Sequence, residues 1–151
     1  MKAFITMLWL ASNLAAGTAF AQTMPPNDAG VTMGHLHLNS ADIEANKKIF
    51  VGMGGTAIKM EGAPLQYVRF PGAIVILNLP GGAPPSSGPT EGTVINHVGF
   101  LVPNVQDAVT KWKAAGVAVL PGNNGRIDQA FVATADGLRE GCSGGEIRRE
   151  P

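Results

Sequence analysis

The chain has 151 residues with eleven basic and eleven acidic side chains, so it carries no net charge and offers no basic surface to nucleic acid or to an anionic membrane. Cys142 is its one cysteine, which excludes an internal disulfide and a thiolate metal cluster. Any metal must therefore be held by His, Asp, Glu or water.

In chain order, residues 1–21 read as a signal peptide: a lone positive charge at Lys2, an apolar stretch over 3–14, and the small-residue ending Ala19-Phe20-Ala21 before Gln22. Ser12 and Asn13 interrupt the apolar run, which is too short for a membrane anchor. The expectation is an exported protein, periplasmic or extracellular, with no membrane partner once the signal is cleaved. Its remaining 130 residues suit one domain. Residues 22–30, with Pro25, Pro26, Asn27 and Gly30, read as a flexible lead-in.

From 31 to 39 apolar and other residues alternate, which predicts a strand; Ser40 or Asp42 then caps a helix running to Met53, and Gly54-Gly55 ends it. Short strands follow at 56–60, 65–70 and 73–79, with Pro71-Gly72 turning between the last two. A Gly/Pro/Ser-rich connector occupies 80–92. The order then repeats. A strand is predicted at 95–102 and Pro103-Asn104 starts a helix whose Val105, Ala108, Val109 and Trp112 share one apolar face until Gly116. Strands at 117–120 and 127–134 follow, and the Asp136-Gly137 turn leads into the end of the chain.

The repeat is legible residue by residue. At an offset of 62, the distance from His35 to His97, Asp42 meets Asn104, Phe50 meets Trp112 and Gly54 meets Gly116. Two copies make one α+β domain of two βαβββ modules, 31–79 and 93–140. Residues 141–151 are glycine-rich and then charged, with poor strand propensity, and read as an irregular tail replacing a closing strand, as a diverged or frame-shifted terminus would.

A strand histidine followed seven positions later by a helix-starting Asp or Asn, found twice, together with the Gly54 and Gly116 helix ends and the Asp136-Gly137 turn, resembles the vicinal oxygen chelate superfamily over about residues 31–140. That superfamily includes glyoxalase I, the extradiol dioxygenases and the bleomycin-resistance proteins. The resemblance implies an open, cupped mixed sheet with a divalent metal (Fe, Zn, Ni or Mn) on residues of its wall. By that resemblance His35 and His97 are metal ligands. The last-strand positions, where the family carries glutamates, hold Ile76 and Gly141, with Glu140 one residue early; on an alternating strand Glu140 is misaimed unless a bulge turns it.

With Glu140 as third ligand and catalytic carboxylate, the set resembles a facial triad with open positions for two neighbouring substrate oxygens. His37, Tyr67, Arg69 and Phe100 are the expected substrate-binding residues. His37 has no counterpart, since Gly99 stands at its place in the second copy. The reaction implied is that of a glyoxalase-type lyase or isomerase, or of a ring-cleaving dioxygenase, on a small molecule. The alternatives are a metal-free small-molecule-binding protein of the bleomycin-resistance type, in a monomer or homodimer, and a truncated inactive copy.

Overall fold

The structure is a computed structural model that describes residues 24–63, 65–79, 90 and 94–144. The expected signal peptide, most of the connector and residues 145–151 of the expected tail lie outside the described residues. The first module runs β1 (His35–Asn39), α1 (Ile43–Gly52), β2 (Thr56–Ile58), β3 (Gln66–Phe70) and β4 (Ala73–Asn78). The second runs β5 (Val98–Val102), α2 (Val105–Ala114), β6 (Val119–Pro121), a single 3-10 turn (Asn123–Gly125), β7 (Gln129–Ala133) and β8 (Arg139–Gly144). None of the described helices is long and apolar enough to cross a membrane.

Both helices form where the repeat places them, and for the same local reason. The Asp42 carboxylate accepts the Ala45 N–H at 2.9 Å, and the Asn104 carboxamide oxygen accepts the Asp107 N–H at 3.0 Å. Each side chain thus satisfies a donor that the first helical turn leaves free. Beyond the helix ends Gly54 and Gly116 take φ of +103° and +80°, a left-handed turn that a side chain would strain.

Each module folds into a four-stranded sheet, in the orders β1-β4-β3-β2 and β5-β8-β7-β6. The first and last strand of a module pair in parallel, and the other neighbours are antiparallel. Side-chain alternation then gives each sheet two faces. Phe50 of α1 and Trp112 of α2 are buried at 0% and 5% exposure, in one core with Val68, Val75 and Leu77 of the first sheet and Ala130, Val132 and Cys142 of the second. Their burial is the largest apolar contribution each helix makes.

The modules meet through two kinds of contact. Phe70 and Phe100 lie with ring centroids 4.9 Å apart, and the Trp112 indole N–H donates to the Met53 carbonyl at 3.2 Å. The second contact is a polar staple. Buried Asn46 of α1 donates to Ser40 Oγ at 2.7 Å and to Asp136 Oδ2 at 2.5 Å, and its carboxamide oxygen accepts the Ala135 N–H at 2.7 Å. Asp136 Oδ1 in turn accepts the Ala41 N–H at 2.9 Å. The β7–β8 turn is so fastened to the start of α1.

Two expectations are corrected. The first strand begins at His35 rather than at 31, and the fifth at Val98, so His97 stands just before its strand. The expected irregular tail from 141 is, up to Gly144, the closing strand: β8 pairs with β5 on one side and with β7 on the other. Poor intrinsic propensity is outweighed because two ladders claim the backbone, and because small residues suit the crowded position.

Asn46→Ala is expected to lower stability by about 2–3 kcal/mol, since it takes the acceptor from the Ala135 N–H and one donor from the Asp136 carboxylate. Equilibrium urea unfolding measures this, and a loss under about 0.5 kcal/mol would show that the staple contributes nothing.

Candidate functional site

The residues expected to form a metal site are divided by the second sheet. Glu140 lies opposite Val132 on β7 and Val98 on β5, and Cys142 opposite Ala130 and Phe100, so these residues share a face. That face meets α2, because a Cβ on Gly144 would touch Val105 at 3.4 Å. Gly141 points the other way. A Cβ there would lie 2.8 Å from His97 Cδ2 and 3.2 Å from Phe131, and the His97 and Phe131 rings meet edge to face at 5.8 Å. The His97 imidazole therefore occupies the open face, while Glu140 projects into the core beneath the helix.

Glu140 is accordingly corrected as a metal ligand and as a catalytic carboxylate acting with His97. No bulge re-aims it, since β8 stays in register with β7 from Arg139 to Ser143. Its Oε2 is buried without a hydrogen-bond partner, and burial pushes its carboxyl up to about 8. It is a protonated core acid at neutral pH. Ile76 and Gly141, on the remaining family positions, have no donor atom. Among the described residues no three His, Cys, Asp or Glu side chains gather closely enough to share an ion. The donor set does not fit the expected chelate of His35, His97 and Glu140.

The expected substrate-binding residues also divide. His37, Tyr67 and Arg69 share the face of the first sheet turned away from α1, where His37 and Arg69 are exposed but Tyr67 is buried: His37 and Tyr67 flank Ile76 in register, and His35 and Arg69 flank Ile74. Phe100 is on the helix side of the second sheet, against Phe70. Arg139, two positions before Gly141, lays its guanidinium 3.5 Å over the Phe131 ring and donates to the Asn123 carboxamide oxygen at 2.9 Å. Cys142 is buried in the core, and burial pushes its thiol up, which makes it a poor nucleophile.

Between the modules lies a cavity of about 450 Å³ whose wall includes Met33, Leu36, Met53, Phe70, Phe100 and Trp112. The size and the aromatic, sulfur-rich lining match sites for small organic molecules. A larger hollow of about 660 Å³ runs between α1 and the end of α2, but Glu44, Lys47 and Lys48 rim it and no aromatic residue lines it. The smaller cavity is the better site because more of its wall is apolar. Sequence reading found Phe100 but missed Phe70, Met33 and Met53, and took Trp112 for core alone. The signal was the second aromatic, Phe70, standing next to the Pro71-Gly72 turn.

No family model matches the sequence, and no curated protein matches it. The structure is similar to TnmS3, an antibiotic-binding protein from Streptomyces sp. CB03234, at 18% identity and TM-score 0.59, covering 80% of this chain and 100% of that one. It is also similar to a glyoxalase/bleomycin resistance protein from the same organism (18%, TM-score 0.54, 75% of this chain, 99% of that one). A glyoxalase/dioxygenase from Nostoc punctiforme gives 19% identity and TM-score 0.58 over 74% of this chain and 89% of that one. These likenesses show the fold, two βαβββ modules arranged as in those solved structures.

Burial of Glu140 makes stability depend on pH. Its carboxyl titrates at about 8 when folded against 4.5 ordinarily, so the folded state holds the proton more tightly, and stability is greatest below about pH 4.5 and falls as pH rises to 8. Glu140→Gln keeps the shape without the charge. It is expected to match the parent near pH 5 and to exceed it by a few kcal/mol, about 4 at most, at pH 8.5. Parallel denaturant curves at the two pH values decide this, and equal stabilities at pH 8.5 would place the carboxyl in water.

Proposed function

We propose that the protein is a small-molecule-binding protein whose cavity between the modules takes a flat, largely apolar ligand. The observation that carries this reading is the aromatic wall: Phe70, Phe100 and Trp112 all line one cavity of about 450 Å³. Removing a planar ring system from water against such a wall is favourable by about 25 cal/mol per Å² of apolar surface, and ring stacking adds direction. The likeness to an antibiotic-binding protein supports the reading, as does the placement of Glu140 away from His97, which leaves the expected lyase or dioxygenase chemistry without its third ligand. Binding by this route needs no proton transfer and no metal. Selectivity would come from the shape of the wall that the touching Phe70 and Phe100 rings form with Trp112, and from the flexible Met33 and Met53 side chains.

The test is a fluorescence titration with an uncharged naphthylamine probe. The parent is expected to bind one probe per chain, and Ala73→Trp, which fills the cavity from its wall, to weaken binding at least tenfold, or about 1.4 kcal/mol. His97→Ala is expected to leave the affinity unchanged. Equal affinities in the parent and Ala73→Trp, with both folded, would exclude the cavity as the site.

A further inference from the structure

At its β1 edge, the face of the first sheet turned away from α1 carries a pair of histidines that neither the cavity nor the core uses. β1 is the edge strand of its sheet, and His35 and His37, two residues apart on it, project from the same face. Both are exposed, and their rings meet edge to face, with centroids 5.0 Å apart and planes at 78°. His37 is held from behind. Its Nδ1 lies 3.3 Å from Asn78 Oδ1. Asn78 sits in register with Asn39 and donates through Nδ2 to Asn39 Oδ1 at 2.6 Å and to the Leu79 carbonyl at 3.4 Å.

That chain of bonds fixes a tautomer. Because the Asn78 amide nitrogen is spent on Asn39 and Leu79, its oxygen is what faces His37, and the contact is satisfied only when His37 Nδ1 carries the hydrogen. His37 Nε2 is then left with its lone pair. A ring nitrogen bonded to a carboxamide oxygen while the other nitrogen stays bare is the arrangement that orients an imidazole for a metal and raises its basicity.

We propose that His35 and His37 form a two-imidazole chelate for a divalent d-block ion on the edge strand β1, on the face turned away from α1. The site lies within one strand of one module. It uses neither His97 nor the last strands, and Gly99 at the place of His37 means that the second module has no copy of it. Two protein ligands leave the remaining positions of the ion to water or to a small exogenous donor, which predisposes the site to exchangeable binding. Imidazole ligation favours Cu(II) over Zn(II) and Ni(II) by the usual stability order. The inference stands independently of the binding role given to the cavity.

The test is a Cu(II) titration of the folded full chain, followed by calorimetry and by the nitrogen splitting of the copper electron-spin spectrum. The chain's three histidines make the assignment complete. One equivalent is expected to bind with two imidazole nitrogens. His35→Ala and His37→Ala should each weaken it at least tenfold, His97→Ala should leave it within twofold, and Asn78→Leu should weaken it about tenfold by releasing His37. Asn78→Asp, which keeps the acceptor, should not weaken it. The proposal is overturned if His97→Ala costs as much as His37→Ala, or if the double variant His35→Ala/His37→Ala still binds the equivalent, as an ion held only by the amino terminus would.

Discussion

The chemistry open to this protein depends on the pairing of one strand. β8 is claimed by β5 on one side and by β7 on the other, and the two ladders fix which of its side chains go under α2 and which face outward. Alternation does the rest. Glu140 goes in, Gly141 comes out beneath the His97 ring, and Cys142 goes in again. A one-residue difference in where the carboxylate falls is thus a difference between a ligand and a buried acid. The buried acid is costly to ionise, so the core tolerates it as a neutral group.

The same comparison of modules accounts for the cavity. The two helices are equivalent in the repeat, yet Asn46 on α1 corresponds to Ala108 on α2. On the Asn46 side the opposing β-turn is drawn in by Asp136 and Ala135, which satisfies every group of the carboxamide named in that staple. On the Ala108 side the bond that crosses is the Trp112 indole N–H to the Met53 carbonyl, and no carboxamide staple forms there among the described residues. The Pro71-Gly72 turn instead lines the cavity together with Phe70, Phe100 and Trp112. One seam of the pseudo-symmetric pair is closed by the Asn46 hydrogen bonds and the other is left largely apolar, so the cavity arises where the two copies differ.

Much of the fold was legible because its signals are local. The helices begin at the residues after Asp42 and Asn104, and the repeat carries α1 onto α2 without a gap. Phe50 and Trp112 read as core, and they are. The closing strand was not legible, since Gly141, Cys142, Ser143 and Gly144 favour a strand only once two neighbours pair with them. The site was legible in part. Phe100 does line the cavity, whereas His37, Tyr67 and Arg69 share the opposite face of the first sheet, away from it, and no local pattern relates the faces of two sheets to each other. Asn46 was overlooked although a polar residue on an inward helical position, opposite an alanine in the second copy, marks a specific partner.

The central claim is that the Glu140 carboxyl and the His97 ring lie on opposite faces of the second sheet. Carbon-13 NMR titration of the Glu140 carboxyl, repeated with His97→Ala and with added Zn(II), tests it most directly. A carboxyl that titrates near 8 and is moved by neither change is the expected result. A carboxyl that titrates in the ordinary carboxylate range and shifts on adding Zn(II), with the shift abolished by His97→Ala, would put the two groups on one ion and contradict the account.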